Sequence, residues 1–339
     1  MRIAFYGSSL LSAYWNGAAT YYRGMLSELA GRGYAVTFYE PDAFDRQAHR
    51  DIDPPDWAEV VVYPATEAAA REAAAEAARA DVVVKASGVG VFDDLLLSEV
   101  MAHAPAHAVR IFWDVDAPAT LAAMRDGGET RLRETLPELD LVLTYGGGPP
   151  VVRAYEAAGA RLCRPIYNAL DPVTHHPAPH DGRFEGDLGL LANRLPDREA
   201  RIDEFFLTAA RRLPEHDFLL GGSGWGDKSV PSNVTRIGHV PTGEHNAVNC
   251  SALAVLNVTR DAMAANGWSP PTRVFEVAGA GACLVTDAWE GIERFLEPEQ
   301  EVLVAAGADD VVRHLLELTP ERARTIGAAA RERVLAGHT

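Results

Sequence analysis

The chain has 339 residues, 47% of them hydrophobic, and a formal net charge of −17 from 31 Lys and Arg against 48 Asp and Glu. That length accommodates two domains with separate cores, and the acidic balance argues against a general nucleic-acid binder, which would show a basic face. No apolar run approaches the ~20 residues needed to span a bilayer, and three cysteines without a CxxC pair argue against a disulfide framework or a zinc site.

The N-terminus, MRIAFYGSS, enters a strand directly and carries no signal-peptide apolar region, so a cytoplasmic protein is expected. Strands are predicted over 2–6, 35–39, 59–63, 81–85, 109–113 and 141–145. Helices are predicted over 19–32 and over the Ala-rich stretch 67–80. Strands alternating with helices imply parallel βαβ units. Residues 164–185 hold several prolines and histidines with little periodicity and read as an interdomain linker. His175, His176 and His180 within it could bind a metal opportunistically, but read first as solvated linker residues. A second alternating set follows, with strands at 188–191, 217–220, 235–237, 253–258, 283–286 and 301–304 and a last helix from Thr319-Pro320-Glu321 toward Leu335. The fold class expected is α/β, two Rossmann-like domains with parallel sheets, over residues 1–165 and 186–339 joined by the linker 166–185.

The most informative stretch is 256–291, LNVTRDAMAANGWSPPTRVFEVAGAGACLVTDAWEG. Ser269 is a good N-cap and Pro270 fits the first helical position. The helix would open at a strand's C-terminal edge, where open α/β sheets bind ligands and free N–H groups favour an anion. Arg260 and Arg273 could add positive charge there, and Glu276 could accept hydrogen bonds from a diol. A sugar nucleotide offers both groups.

Together with NVTRIGHVPTGEHNAVNCSALAVLNVTRDAM before it, this block resembles the CgeB-type (spore maturation protein) glycosyltransferases of the GT-B superfamily. FWDVDAPAT, YGGGPPVVRAYEAAGA and ALDPVTHHP extend the resemblance more weakly. It implies an enzyme that moves a hexose from a nucleotide-diphosphate sugar, most simply a UDP-sugar with GDP and dTDP as alternatives, to an acceptor hydroxyl or similar nucleophile. It also implies a first domain that binds acceptor, a second that binds donor, and no metal or other cofactor, retention being favoured over inversion. Glu276 matches the glutamate that holds the donor ribose. The family's second glutamate, eight positions earlier, is Trp268 here, which weakens the sugar-hydroxyl contact. Arg198 lies where GT-B enzymes place a basic residue against the diphosphate, and a guanidinium suits that contact.

Further donor-site candidates are Gly222, Gly224 and Trp225 in GGSGWG, where the indole could pack on a base, and His239 in GHV. In the first domain Gly7, Ser8, Asn16 and Gly17 leave the first strand and Gly147 heads a later helix; these are candidates to line the acceptor side. They do not form GxGxxG. Asp114 and Asp116 end a strand two residues apart and are candidates for acid–base work or sugar orientation; Asp116-Ala-Pro is also a helix start signal. Two other readings remain, a sugar-nucleotide epimerase and a catalytically silent relative that binds a nucleotide or a partner. GT-B chains commonly end in a helix that returns to the first domain; here the sequence stops at Gly337-His338-Thr339, so that segment is expected to be short. Ala- and Arg-rich usage points to a GC-rich bacterium, with a metabolite, a cell-surface glycan or a protein as acceptor.

Overall fold

The computed structural model describes residues 1–14 and 16–339. The chain divides into two compact units, Met1–Tyr167 and Asn168–Thr339, each with its own parallel sheet.

The first unit contains β1 (Arg2–Tyr6), β2 (Ala35–Asp42), β3 (Ala58–Pro64), β4 (Val82–Ala86), β5 (Val109–Asp114), β6 (Leu141–Thr144) and β7 (Cys163–Pro165). They pair in the order β3-β2-β1-β4-β5-β6-β7, all parallel. Both faces are buried, as a parallel sheet requires. Phe5 with Phe38, Tyr22 and Trp113 packs one face; Tyr6 with Tyr63, Val83, Phe112 and Val142 packs the other. β7 falls in a stretch read from sequence as the start of an irregular segment. It is only three residues long and has no periodicity of its own; its pairing with β6 makes it a strand.

The second unit contains β8 (Gly186–Leu191), β9 (Phe218–Gly221), β10 (Val234–Gly238), β11 (Ala252–Asn257), β12 (Leu284–Asp287) and β13 (Leu303–Ala305). Their order is β10-β9-β8-β11-β12-β13, again all parallel. Leu188, Leu190, Phe218, Leu220, Leu256, Val285 and Leu303 form its main core. Cys283 is a buried member of it.

Strand order reverses between β1 and β4 in the first sheet and between β8 and β11 in the second. At such a switch point the following helices leave to opposite faces and the loops part, opening a crevice at the carboxyl ends of the strands. Among the described residues no helix is long and apolar enough to cross a membrane.

Residues 168–185, expected as a linker, are bonded onto the second unit. Asn246 Nδ2 donates to Thr174 O (2.9 Å), and Asp181 N to Ser251 Oγ (2.8 Å). Leu170 N donates to His338 O (2.8 Å), beyond the C-terminal helix Pro320–Gly337.

Candidate functional site

The switch point of the second sheet gathers the charged residues of three connections. After β8 the chain turns through Asn193 and enters the helix Pro196–Ile202, whose Pro196 occupies the first helical position, where no N–H is needed. Arg198 lies in its first turn. Its Nη2 donates to Asn193 O (2.7 Å), while its buried Nε has no hydrogen-bond partner. After β11 comes Arg260, whose Nε donates to Asp197 Oδ2 at 2.5 Å. Arg273 and Glu276 follow on the helix Thr272–Gly279. Burial, and then the nearby Arg260 and Arg273 charges, lower the Arg198 pKa against the pull of Asp197 and Asp287.

Glu276 sits beside a guanidinium and an imidazole. Arg273 Nη1 lies 3.3 Å from its Oε2 and His175 Nε2 lies 3.7 Å from its Oε1. Burial alone would raise this carboxyl's pKa. Arg273, His175, His245 and the Thr272 hydroxyl outweigh it and hold the group below the usual range, so it is ionised at neutral pH. Arg273 Nη1 is buried without a hydrogen-bond partner, as is Ser269 Oγ.

The helix begins two residues later than the sequence suggested. Pro271, with extended backbone, is the N-cap and Thr272 the first helical residue. A second proline at 271 holds Pro270 out of the α region, so Ser269 and Pro270 belong to the approach loop. Ser269 therefore does not cap, and Pro270 O accepts from Asn168 Nδ2 (3.0 Å).

The glycine-rich turn after β9 divides into parts with different roles. Gly222 has φ +113°, and a Cβ there would lie 2.2 Å from Ala192 O, so the turn packs backbone to backbone. Gly222 N donates to Gly238 O (2.7 Å), and Gly224 packs on Arg194. Trp225, expected to pack on a base, is instead 3% exposed in the unit's core, with Nε1 donating to Ala192 O (2.7 Å). A large apolar ring with its one donor satisfied has no free face to offer. His239 is exposed after β10.

In the first unit the candidates occupy the corresponding sheet edge but mostly serve each other. Gly7 N donates to Tyr39 O (3.1 Å). Ser8 Oγ donates to Asn16 Oδ1 (2.8 Å), and Asn16 Nδ2 to Ser9 O and Ser12 O. Both side chains are buried, so they tie the loop into shape. Gly17 and Gly147 are the N-cap residues of the helices Ala18–Gly31 and Gly148–Ala157. Asp114 is fully buried at the end of β5 and accepts from Ser87 Oγ (2.9 Å), Thr120 Oγ1 (3.0 Å), Asp116 N (3.1 Å) and the Tyr155 hydroxyl. Burial still outweighs these donors and raises its pKa. With no exposed surface and its oxygens engaged, it organises this edge without reaching a ligand. Asp116 stands half-buried as N-cap of the helix Ala117–Arg125 without a side-chain cap bond.

Sequence reasoning missed several members. Asp287, fully buried at the end of β12, accepts from Arg201 Nη2 (2.6 Å) and Thr259 N (3.0 Å). His245 begins the helix His245–Ser251 and brings a ring nitrogen near Glu276 and His175. In the first unit Glu40, also fully buried, accepts from Ser9 Oγ and Leu10 N, and Arg46 is buried beside it. Isolated charges without a spacing pattern gave no signal for these; only a buried strand end makes them conspicuous. Two surface grooves lie away from the switch points. One is lined by Arg2, Tyr39, Tyr63 and Glu76, the other by His180, Asp217, Cys250 and Arg324.

Residues 198–339 match the family described as glycosyl transferase-like. No curated protein matches the sequence at a significant level. Among solved structures, the sucrose-phosphate synthase from Thermosynechococcus elongatus is similar, with a TM-score of 0.68 at 16% identity, over 99% of this chain and 94% of that one. HepE from Anabaena, solved with UDP and glucose, gives 0.67 at 15% identity over 98% and 95%. An alpha-glucosyltransferase solved with UDP and a 13-mer DNA gives 0.70 at 10% identity over 98% and 95%. At these identities the likeness establishes the fold, two Rossmann-like units of the GT-B type. The family match covers the C-terminal residues 198–339, and the two all-parallel sheets give the chain as a whole the GT-B type of fold.

Proposed function

We propose that the protein transfers a hexose from a UDP-sugar to an acceptor hydroxyl, with the donor on the second unit and the acceptor on the first. One observation carries the reading: Arg198, Arg260, Arg273 and Glu276 converge at the switch point of the second sheet, with the buried Nε of Arg198 and Nη1 of Arg273 left without hydrogen-bond partners. An unpaired buried donor such as Arg198 Nε costs about 1–3 kcal/mol, and a diphosphate would satisfy it. The arginines take the diphosphate and stabilise charge building on the leaving UDP. Glu276, ionised and beside Arg273, accepts from the ribose diol. The CgeB-like sequence block spans Arg260, Arg273 and Glu276 and supports their assignment. HepE, with UDP-glucose bound in its own structure, makes that nucleotide the first donor to test.

The reaction needs no resident metal if the guanidinium groups carry the phosphate charge. Retention, with the leaving phosphate taking the acceptor proton, agrees with an Asp114 whose oxygens are engaged. Asp116, at the start of the helix Ala117–Arg125, is a candidate to orient the sugar or acceptor. A net charge of −17 favours a neutral metabolite or glycan acceptor over a polyanion.

Calorimetric titration with UDP and UDP-glucose tests the site. Wild type should bind UDP, Glu276→Ala should weaken it by about tenfold or more, and Arg198→Ala should lower kcat for UDP-glucose turnover as well, by about a hundredfold. Equal UDP affinity in wild type and Glu276→Ala would overturn the donor site. Turnover of the UDP-sugar without any acceptor, to an isomeric UDP-sugar, would favour an epimerase.

A further inference from the structure

His175, His245 and Glu276 come from three segments far apart in sequence. One ring nitrogen of each histidine and one oxygen of Glu276 lie within 4.8 Å of one another. The approach is built into the backbone. Gly279, one turn below Glu276, has no side chain, and a Cβ there would lie 2.3 Å from Leu170 Cδ1 and 3.0 Å from His175 O. The segment carrying His175 can therefore press against the helix. His175 N is bonded to Asp171 O (2.9 Å), which fixes the turn.

The two imidazole rings stack loosely, with centroids 6.1 Å apart and an interplanar angle of 24°. His245 Nε2 lies 3.2 Å from Val240 O; a carbonyl only accepts, so that nitrogen carries the proton. The lone pair is thus on Nδ1, which is buried and has no hydrogen-bond partner. A carbonyl behind one ring nitrogen is the usual support for a metal-binding histidine. His175 is 8% exposed, and its Nδ1 is also buried without a partner. Its Nε2 stands 3.7 Å from Glu276 Oε1, too far for a hydrogen bond and close to the spacing of two ligands on one tetrahedral ion. Arg273 occupies the other side of the carboxylate, at Oε2, so Oε1 is the oxygen left for an ion. Two imidazoles and one carboxylate with further positions open suit a borderline transition metal, and not a hard ion such as Mg2+, which prefers an all-oxygen set.

We propose that His175, His245 and Glu276 form a binding site for a zinc-type divalent cation, and that this ion competes with the UDP-sugar for Glu276. The competition clause rests on the donor site proposed above; the metal site stands without it. Bound metal would take the oxygen that a ribose hydroxyl needs and would place a cation beside Arg273, so metal and donor would exclude each other. Zinc would then act as an inhibitor of this transferase, with no part in the transfer step.

The experiment titrates the full chain, stripped with chelator, with Zn2+ by calorimetry and with Co2+ by visible absorption. About one ion per chain should bind, with a Co2+ spectrum of low-coordinate nitrogen and oxygen ligation. His175→Gln and His245→Gln should each weaken binding by at least about tenfold, with near-wild-type Tm as the check on folding. UDP titrations with and without saturating Zn2+ should show antagonism in wild type, and the ratio of the two affinities should fall toward unity in His245→Gln. Absence of stoichiometric binding, or binding unchanged in the His175→Gln/His245→Gln double variant, overturns the site. Histidine-dependent metal binding by a chain that never binds UDP would uphold the metal site and overturn the donor assignment. UDP binding that ignores bound Zn2+ would overturn the competition.

Discussion

Asp114 shows how a side chain's neighbours change its meaning. An acid at the end of a parallel strand is a natural candidate for catalysis, yet this one is fully buried and receives hydrogen bonds from Ser87, Thr120, Tyr155 and the Asp116 backbone. Removing it would leave the buried Tyr155 hydroxyl without its partner and take an acceptor from the half-buried Ser87 and Thr120 hydroxyls. Asp114→Ala should therefore destabilise the protein by about 2–4 kcal/mol, seen as a lower denaturation midpoint, and UDP binding by the folded variant should persist. The sign of its pH effect also follows. Burial raises the folded-state pKa above the unfolded one, so its contribution is present below the unfolded value and fades as pH rises through the native one. Asp114→Asn should flatten that part of the stability–pH curve relative to wild type; a slope unchanged in the variant would refute the assignment. Trp225 makes the same point: satisfied at Nε1 and buried, it is a core residue despite its glycine-rich setting.

At the scale of elements, the helix Thr272–Gly279 does most to assemble the second-unit site. It carries Arg273 and Glu276 on its first turns and Gly279 at its end. Its apolar side, with Val274, Phe275 and Val277 all buried, anchors it to the sheet, so the charged side is held in place. Gly279→Ala would drive a methyl into Leu170 and the His175 carbonyl. Leu170 can turn aside, but the backbone must move. We expect a loss of about 1–3 kcal/mol in stability and weaker Zn2+ binding than wild type, because His175 would move away from Glu276. Wild-type metal affinity in a folded Gly279→Ala variant would argue against this packing account. The late start of the same helix was not evident because Ser-Pro-Pro satisfies two rules at once. Ser269-Pro270 is a good helix opening, but Pro271 forces the residue before it away from the α region, and this local steric limit prevails.

For the molecule as a whole, each unit has its own sheet and its own buried core. All the proposed donor and metal residues lie within 168–339. A fragment of those residues should unfold cooperatively and bind UDP with the same dependence on Glu276 as the full chain. A fragment that folds but has lost UDP binding would show that the first unit contributes to the donor site. Much of this architecture could be read from sequence. Short apolar runs spaced by helical stretches gave twelve of the thirteen strands, because a parallel strand buried on both faces must be continuously apolar. Arg198, Arg260, Arg273 and Glu276, the proposed donor residues, were already candidates in the sequence, Arg198 and Glu276 through the resemblance and Arg260 and Arg273 through the strand–loop–helix pattern. What sequence alone determined was therefore local: strand and helix composition, the alternation that requires parallel sheets, and charges at the carboxyl edge. The tertiary structure decided which charges meet. His175 looked like a linker residue and His245 carried no signal of its own; only the folding of residues 168–185 onto the second unit brings them to Glu276. It also decided which polar groups are consumed internally, because hydrogen-bond satisfaction of Asp114, Ser8 and Asn16 depends on partners that the order of residues does not reveal.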